Sequence, residues 1–237
     1  MLGWVASAIG TVPPYPGIFA YYDGRTGRRF HSEDPNWLDD GAFTLGVCTY
    51  SIVSGSEALF IDAGITTNIA AYMLKHVTTL GVTNTSMVYS HYHNDHIADL
   101  RSRRKDALAK DDPPIEAVLP SMTYENKMTL HVADRTVKLH HFDIHTPDGT
   151  AIFLPLEKVL FVGDMLEDTV TFIDDPTALA THQGELKRMA QLPCTKILPA
   201  HGSPDRIKAG GYDKSFIEAT LRYIQAVNEP VEAPIAW

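Results

Sequence analysis

Ser90-His91-Tyr92-His93-Asn94-Asp95-His96 places three imidazoles and a carboxylate within six consecutive positions. Thr85–Tyr89 before it ends in the apolar Met87, Val88 and Tyr89 and reads as a buried strand. Ile97–Leu100 after it can open a helix, with Asp95 as its N-cap. The polar cluster therefore lies on a strand-to-helix loop, at the carboxyl end of a strand. Side chains alternate along extended chain, so His91, His93 and Asp95 point one way. His96 breaks that alternation, and the chain must turn there. Imidazole and carboxylate are the ligands a borderline cation such as Zn²⁺ prefers. Desolvated together without a cation, they would be costly to keep charged and unpaired. The stretch thus predicts a metal loop that presents ligands to two neighbouring points.

Further along, polar residues recur where hydrophobic runs end. Asp62 closes Leu59-Phe60-Ile61 and precedes Ala63-Gly64. His145 closes Leu139–Ile144. Asp164 follows Val159–Gly163, where Gly163 permits close backbone approach. His201 follows Ile197-Leu198-Pro199-Ala200.

The pattern His91-x-His93-x-Asp95-His96 resembles the signature of the metallo-β-lactamase superfamily. His145-Thr146-Pro147-Asp148-Gly149 resembles that family's third-histidine motif, and His201-Gly202 its last metal histidine. The resemblance runs from about Gly46 to about Pro204. It implies an α/β fold, an αββα sandwich of two mixed sheets with helices on the outer faces. It implies that His91, His93 and His145 hold one metal, that Asp95, His96 and His201 hold another, and that Asp164 bridges them. Two Zn²⁺ per chain are expected, with Fe or Mn as alternatives. Asp62 is expected beside the metal loop, where an acceptor fixes the tautomer of a ligating histidine. The implied reaction is hydrolysis of a small ester, lactone or thioester by a metal-bound hydroxide, with Asp95 orienting it and accepting its proton.

Alternatives on this scaffold are β-lactam hydrolysis and an iron-dependent oxidoreductase of the sulfur dioxygenase type. At the position where many true lactamases carry cysteine, this chain has Asp164. Three residues on, where they often place a lysine against the antibiotic carboxylate, it has Glu167. Glutamate replaces the second histidine in di-iron electron-transfer relatives, so His93 argues for zinc and hydrolysis. His182, at the start of a helix near the open side of the site, is a candidate substrate contact.

Composition sets wider limits. The 237 residues are 44% hydrophobic and 21% charged, which suits one domain over 1–237: an arm with loops over 1–40 and a core over 41–237. The net charge of −9 repels nucleic acid and anionic membranes, leaving a small molecule as the expected partner. No run of about 18 apolar residues occurs, so no membrane span is expected. Met1–Gly10 carries no Lys or Arg, unlike the basic start of a secretory signal. That reads as cytoplasmic, or periplasmic if a leader has been removed. Cys48 and Cys194 read as reduced structural thiols. The one basic run, Arg101–Lys105, is either a solvated face or a contact to an anionic substrate.

Periodicity completes the expectation. Proline-rich Thr11–Gly17 reads as irregular. Hairpins are expected over Ile18–Tyr22 with Arg28–Phe30, and over Val47–Val53 with Ala58–Asp62. Helices are expected at Thr67–Leu80, Leu179–Leu192 and Gly211–Asn228. Further strands are expected at Ile115–Leu119, Val137–Phe142, Ala151–Leu154, Val159–Val162 and Lys196–Leu198. Loops around Ser32–Asp40, Met122–Leu130 and Leu166–Ala178 are expected to set the substrate.

Overall fold

The computed structural model describes residues 9–23, 32, 34–35, 46–64, 67–97, 120–168 and 171–228. Two five-stranded sheets face each other. The first joins β1 (Ile9–Tyr15), β2 (Ile18–Asp23), β3 (Val47–Ser54), β4 (Glu57–Ile61) and β5 (Asn84–Val88) in that order. The second runs β10 (Lys196–Pro199), β9 (Val159–Gly163), β8 (Thr150–Leu154), β7 (Arg135–His141), β6 (Lys127–Val132). Each is mixed: β4 and β5 are parallel, β9 and β10 are parallel, and the remaining pairs are antiparallel.

Period-two alternation builds three apolar layers. Cys48, Tyr50 and Ile52 of β3 meet Val159 and Phe161 of β9 between the sheets. The alternate residues Leu160 and Val162 face outward onto Leu186 of α3 (Leu179–Met189) and Ile217 of α4 (Ser215–Asn228). On the other side Ala58 and Phe60 pack on Ile69, Met73 and Val77 of α1 (Thr67–Thr79). Thr49 and Ser51 also lie outward on β3, and each is satisfied there, by the Met73 sulfur and the Tyr21 hydroxyl. This is the expected αββα sandwich, with helices on both outer faces.

Several local expectations differ. Thr11–Gly17 is not irregular: β1 runs through Pro13 and Pro14, with its register shifting between Val12 and Tyr15. Its prolines are tolerated because β1 ends the sheet, and one side of an edge strand donates to nothing. Thus β1 and β2, read as part of an arm, belong to the first sheet. The partners of β2 are β1 and β3, not the expected hairpin arm at 28–30, which lies outside the described residues. So do the basic run Arg101–Lys105, the strand expected at 115–119 and most of 32–40. β5 was expected buried, yet Asn84–Met87 are exposed, as suits the last strand of a sheet with polar Asn84, Thr85 and Ser86. Lys127–Val132 forms β6 rather than loop, paired to β7 across Ala133-Asp134. The last helix starts at Ser215, because Ile197 and Tyr212 exchange backbone hydrogen bonds as a strand-like bridge. Cys48 and Cys194 are buried, unpaired thiols. No described helix is long and apolar enough to cross a membrane.

Candidate metal centre

The strand ends deliver the polar residues to one place. Asp62 follows β4, His91 follows β5, Asp164 follows β9 and His201 follows β10; His145 lies between β7 and β8. Gly163 makes the junction possible: its φ is +53°, and a Cβ there would stand 2.7 Å from Ser90 Oγ. Asp62 and His145 adopt φ of 64° and 66°, a region costly for non-glycine residues and typical of functional turns.

Two groups of ligand atoms result, each within 4.8 Å of its own members. One is His91, His93, His145 and Asp164; the other is Asp95, His96, Asp164 and His201. Alternation alone would send Asp95 with His91 and His93. Instead the chain turns into α2 (Asn94–Ile97), and the carbonyl of His93 accepts from the amides of His96 and Ile97. Asp95 therefore does not cap this turn; it sits in the first turn and swings to the second group.

Asp164 Oδ2 is central. It lies 3.2 Å from His96 Nε2, 3.3 Å from His201 Nε2, 3.7 Å from His91 Nε2 and 3.8 Å from His145 Nε2. Asp95 lies 3.4 Å from His201 Nε2 and 3.8 Å from His96 Nε2. Donor atoms at about 2.0–2.1 Å around a tetrahedral zinc are about 3.3 Å from one another. Two buried atoms, His91 Nε2 and Asp164 Oδ1, have no hydrogen-bond partner. An unsatisfied buried polar atom is costly, and a cation would satisfy both. The donor set fits divalent metal.

Each ring is aimed by what its other nitrogen touches. His96 Nδ1 donates to Asp62 Oδ2 at 2.9 Å. His145 Nδ1 meets the Phe172 carbonyl and His201 Nδ1 the Gly46 carbonyl, each at 3.2 Å. His91 Nδ1 contacts Ser90 Oγ at 3.0 Å. All four thus turn Nε2 inward. His93 is reversed: Nδ1 lies 3.0 Å from His145 Nε2, and Nε2 points toward Asp174, 3.9 Å away. Asp62 also accepts from Ser90 N and Oγ, so one buried carboxylate fixes both the loop backbone and a ring.

Charge divides the two groups. Burial and the neighbouring His96, His145 and His93 push His91 down to about 2, and burial lowers His145. Burial opposes charge on His96 and His201 too, but carboxylates outweigh it. Asp164 and Asp62 raise His96 well above the usual imidazole value, and Asp164 and Asp95 raise His201 to about 10. Asp95 and Asp164, despite burial, are held below the usual carboxylate range by His201 and His96. His91 and His145 offer lone pairs; His96 and His201 hold protons that a metal must displace.

The family's sequence profile, the "Metallo-beta-lactamase superfamily", matches residues 123–201. The first ligand cluster lies before that span and completes the donor set. The chain belongs to the metallo-β-lactamase superfamily. This superfamily member is 29% identical over 176 residues to a "Beta-lactamase-like protein 2 homolog" of Caenorhabditis elegans, covering 68% of this chain and 58% of that one. It is 30% identical over 172 residues to the "Atrochrysone carboxyl ACP thioesterase dmxR1" of Cryptosporiopsis sp., covering 68% and 51%. The chain spans about half the length of the curated relatives it matches. A metallo-β-lactamase from Pontibacter korlensis shares the fold, with a TM-score of 0.70, 16% identity and coverage of 94% and 100%. The mono-zinc form of FIM-1 from Pseudomonas aeruginosa does so at 0.67, with 15% identity and coverage of 95% and 99%.

His182 is not at the site's surface. It is 3% exposed on the inner face of α3, near Asp143 and Asp175, outside both ligand groups, so a substrate contact there is withdrawn. Glu167 does reach the centre's surroundings: burial and Asp164 push its carboxyl up to about 8, and it accepts from the Phe172 amide. The residues missed from sequence are Ser90, Asp174 and the carbonyls of Gly46 and Phe172. Ser90 stood in the decisive stretch; backbone carbonyls leave no signature in residue type.

Proposed function

We propose that this superfamily member is a dinuclear metal-dependent hydrolase of small esters, lactones or thioesters. The observation that carries it is the pair of four-residue ligand groups sharing Asp164, with His91 Nε2 and Asp164 Oδ1 buried and unsatisfied. Divalent ions supply Lewis acidity, polarising a carbonyl and acidifying water. His91, His93 and His145 would hold one ion, Asp95, His96 and His201 the other, and Asp164 both. Asp95 takes the proton of the attacking water on its carboxylate, beside His201. The hydrogen bonds to Asp62, Phe172 and Gly46 keep the rings aimed while that charge moves. Zinc suits the nitrogen-rich set, with iron or manganese as alternatives.

A thioester is favoured by the relative named as a thioesterase, at 30% identity. A β-lactam is disfavoured because Glu167, standing where many lactamases place a lysine, offers the antibiotic carboxylate no cation, and Asp174 beside His93 offers it like charge. Nucleic acid is disfavoured by the net charge of −9. The test is kcat/KM of zinc-loaded protein on matched esters, lactones, thioesters, β-lactams and RNA. A β-lactam or RNA cleaved about tenfold better than every other class, about 1.4 kcal/mol, would overturn the reading. Metal analysis of protein purified without added metal distinguishes a zinc hydrolase from an iron oxidoreductase.

A further inference from the structure

Three residues after Asp164, Glu167 turns its carboxylate to the backbone of another segment. Its Oε2 accepts from the Phe172 amide, and the Phe172 carbonyl accepts from His145 Nδ1 at 3.2 Å. Both backbone groups belong to one residue, so whatever fixes the N–H limits where the C=O can point. Thr171–Ile173 belongs to no strand or helix, so no ladder of backbone bonds places that carbonyl. The other supports are better rooted. The Gly46 carbonyl, which aims His201, adjoins the first residue of β3, and Asp62, which aims His96, adjoins the last of β4.

The side chains of this segment divide the work. Thr171 is buried, and Ile173 packs on the apolar layer that holds Leu179 and Leu186 of α3. The Phe172 ring is 57% exposed and meets the His145 ring with centroids 5.9 Å apart. A ring so exposed anchors little, and the backbone hydrogen bonds are left to place the carbonyl. Glu167 itself feels Asp164, which both ligand groups share, and His201 and Asp95 of the second. Its charge thus lies by one ion's ligands, while its hydrogen bond leads to the other's.

We propose that Glu167 is a positioning residue for the ion of His91, His93 and His145: it holds Phe172 so that the carbonyl keeps the His145 proton on Nδ1. With the carbonyl displaced, that proton can move to Nε2, 3.0 Å from His93 Nδ1 and 3.8 Å from Asp164 Oδ2. Nε2 then has no lone pair for a metal. The inference rests on the metal-dependent hydrolase reading and gives Glu167 a part in building that centre.

The test removes one ligand group at a time from the full chain and titrates zinc against a chromophoric chelator. His201→Ala leaves His91, His93, His145 and Asp164; His145→Ala leaves Asp95, His96, Asp164 and His201. In the first background Glu167→Met should weaken zinc about tenfold, the lower end of what a lost partner of a ligating histidine costs. In the second it should leave zinc affinity unchanged. Glu167→Gln, which keeps an acceptor without the charge, should preserve affinity in both. If Glu167→Met does not fold, Glu167→Asp, which keeps the charge and withdraws the acceptor by one methylene, should show the same selective loss. No loss, loss in the second background, or equal loss with Gln would overturn the proposal; the last two would make the charge of Glu167 its working feature. Long-range proton–nitrogen NMR of metal-free protein, with all other ligands in place, reads His145 directly. Nδ1–H in wild type and Glu167→Gln, with Nε2–H or exchange between the two in Glu167→Met or Glu167→Asp, supports the proposal; any other pattern overturns it. If wild type binds no zinc, the metal-dependent reading fails, and this spectrum still decides the role of Glu167.

Discussion

Replacing Asp62 with Asn changes one atom's hydrogen-bonding character at the centre of the site. Asp62 Oδ1 accepts from the Ser90 amide at 2.6 Å; Oδ2 accepts from Ser90 Oγ at 2.8 Å and from His96 Nδ1 at 2.9 Å. In Asp62→Asn the amide oxygen can keep the Ser90 amide, and Asn tolerates the φ of 64°. The NH₂ group then meets Ser90 Oγ, which can accept, and His96 Nδ1, which could not while protonated. His96 relieves the clash by moving its proton to Nε2, the nitrogen 3.2 Å from Asp164. That nitrogen no longer offers a lone pair to a metal. Loss of such a supporting hydrogen bond costs about 10–100-fold in metal affinity, or about 1.4–2.7 kcal/mol. The loss should fall on one site. Zinc titration of metal-free protein against a chromophoric chelator should show the site of Asp95, His96, Asp164 and His201 weakened and that of His91, His93 and His145 kept. Equal weakening of both sites, or none, would refute the argument that Asp62 acts through the His96 tautomer.

Asp164→Ala should hold at most one zinc per chain and lose activity about a hundredfold or more, exceeding the cost of an outer ligand; inductively coupled plasma analysis giving wild-type metal content would contradict it. His140 reports on pH. It is 7% exposed, and burial, with Lys127, Arg188 and Lys138, lowers it from its usual 6.5. A base whose folded value lies below its unfolded one contributes fully above the unfolded value and loses that contribution as pH falls toward the folded one. His140→Gln should therefore lose less stability than wild type between about pH 7.5 and about 5.5, measured by urea denaturation; parallel losses would exclude His140 as the source.

The clustering of the candidate ligands was legible because their chemistry is carried by residue type at strand ends. His145, Asp164 and His201 each follow a hydrophobic run, and a polar group at that point must find a partner. The sandwich was legible from alternation in stretches such as Val159–Gly163. What escaped depends on neighbours. Pro13 and Pro14 read as loop unless the strand is known to be an edge. Lys127–Val132 has mixed polarity and becomes strand only through pairing with β7. His182 lies on a helix whose inward face is fixed by packing, and sequence placed that face toward the site. The alternation that would have grouped Asp95 with His93 fails because α2 begins one residue earlier.

The ligands come from two separate sheets. His91, His93, Asp95 and His96 follow the last strand of the first sheet; His145, Asp164 and His201 come from the second. Few backbone bonds sew the sheets together here: Cys48 to Ala200 at 2.7 Å, and Thr150 to Ser90 at 2.7 Å. An ion held at this seam would act as a clasp. It can close only when both halves are in place, so a nascent chain cannot fasten it until its final strand has arrived. At a free concentration one hundred times its Kd, an ion bound there would add about 2.7 kcal/mol to the docked arrangement. Loading the centre would thus complete the docking of the two sheets, and stripping it would loosen their seam.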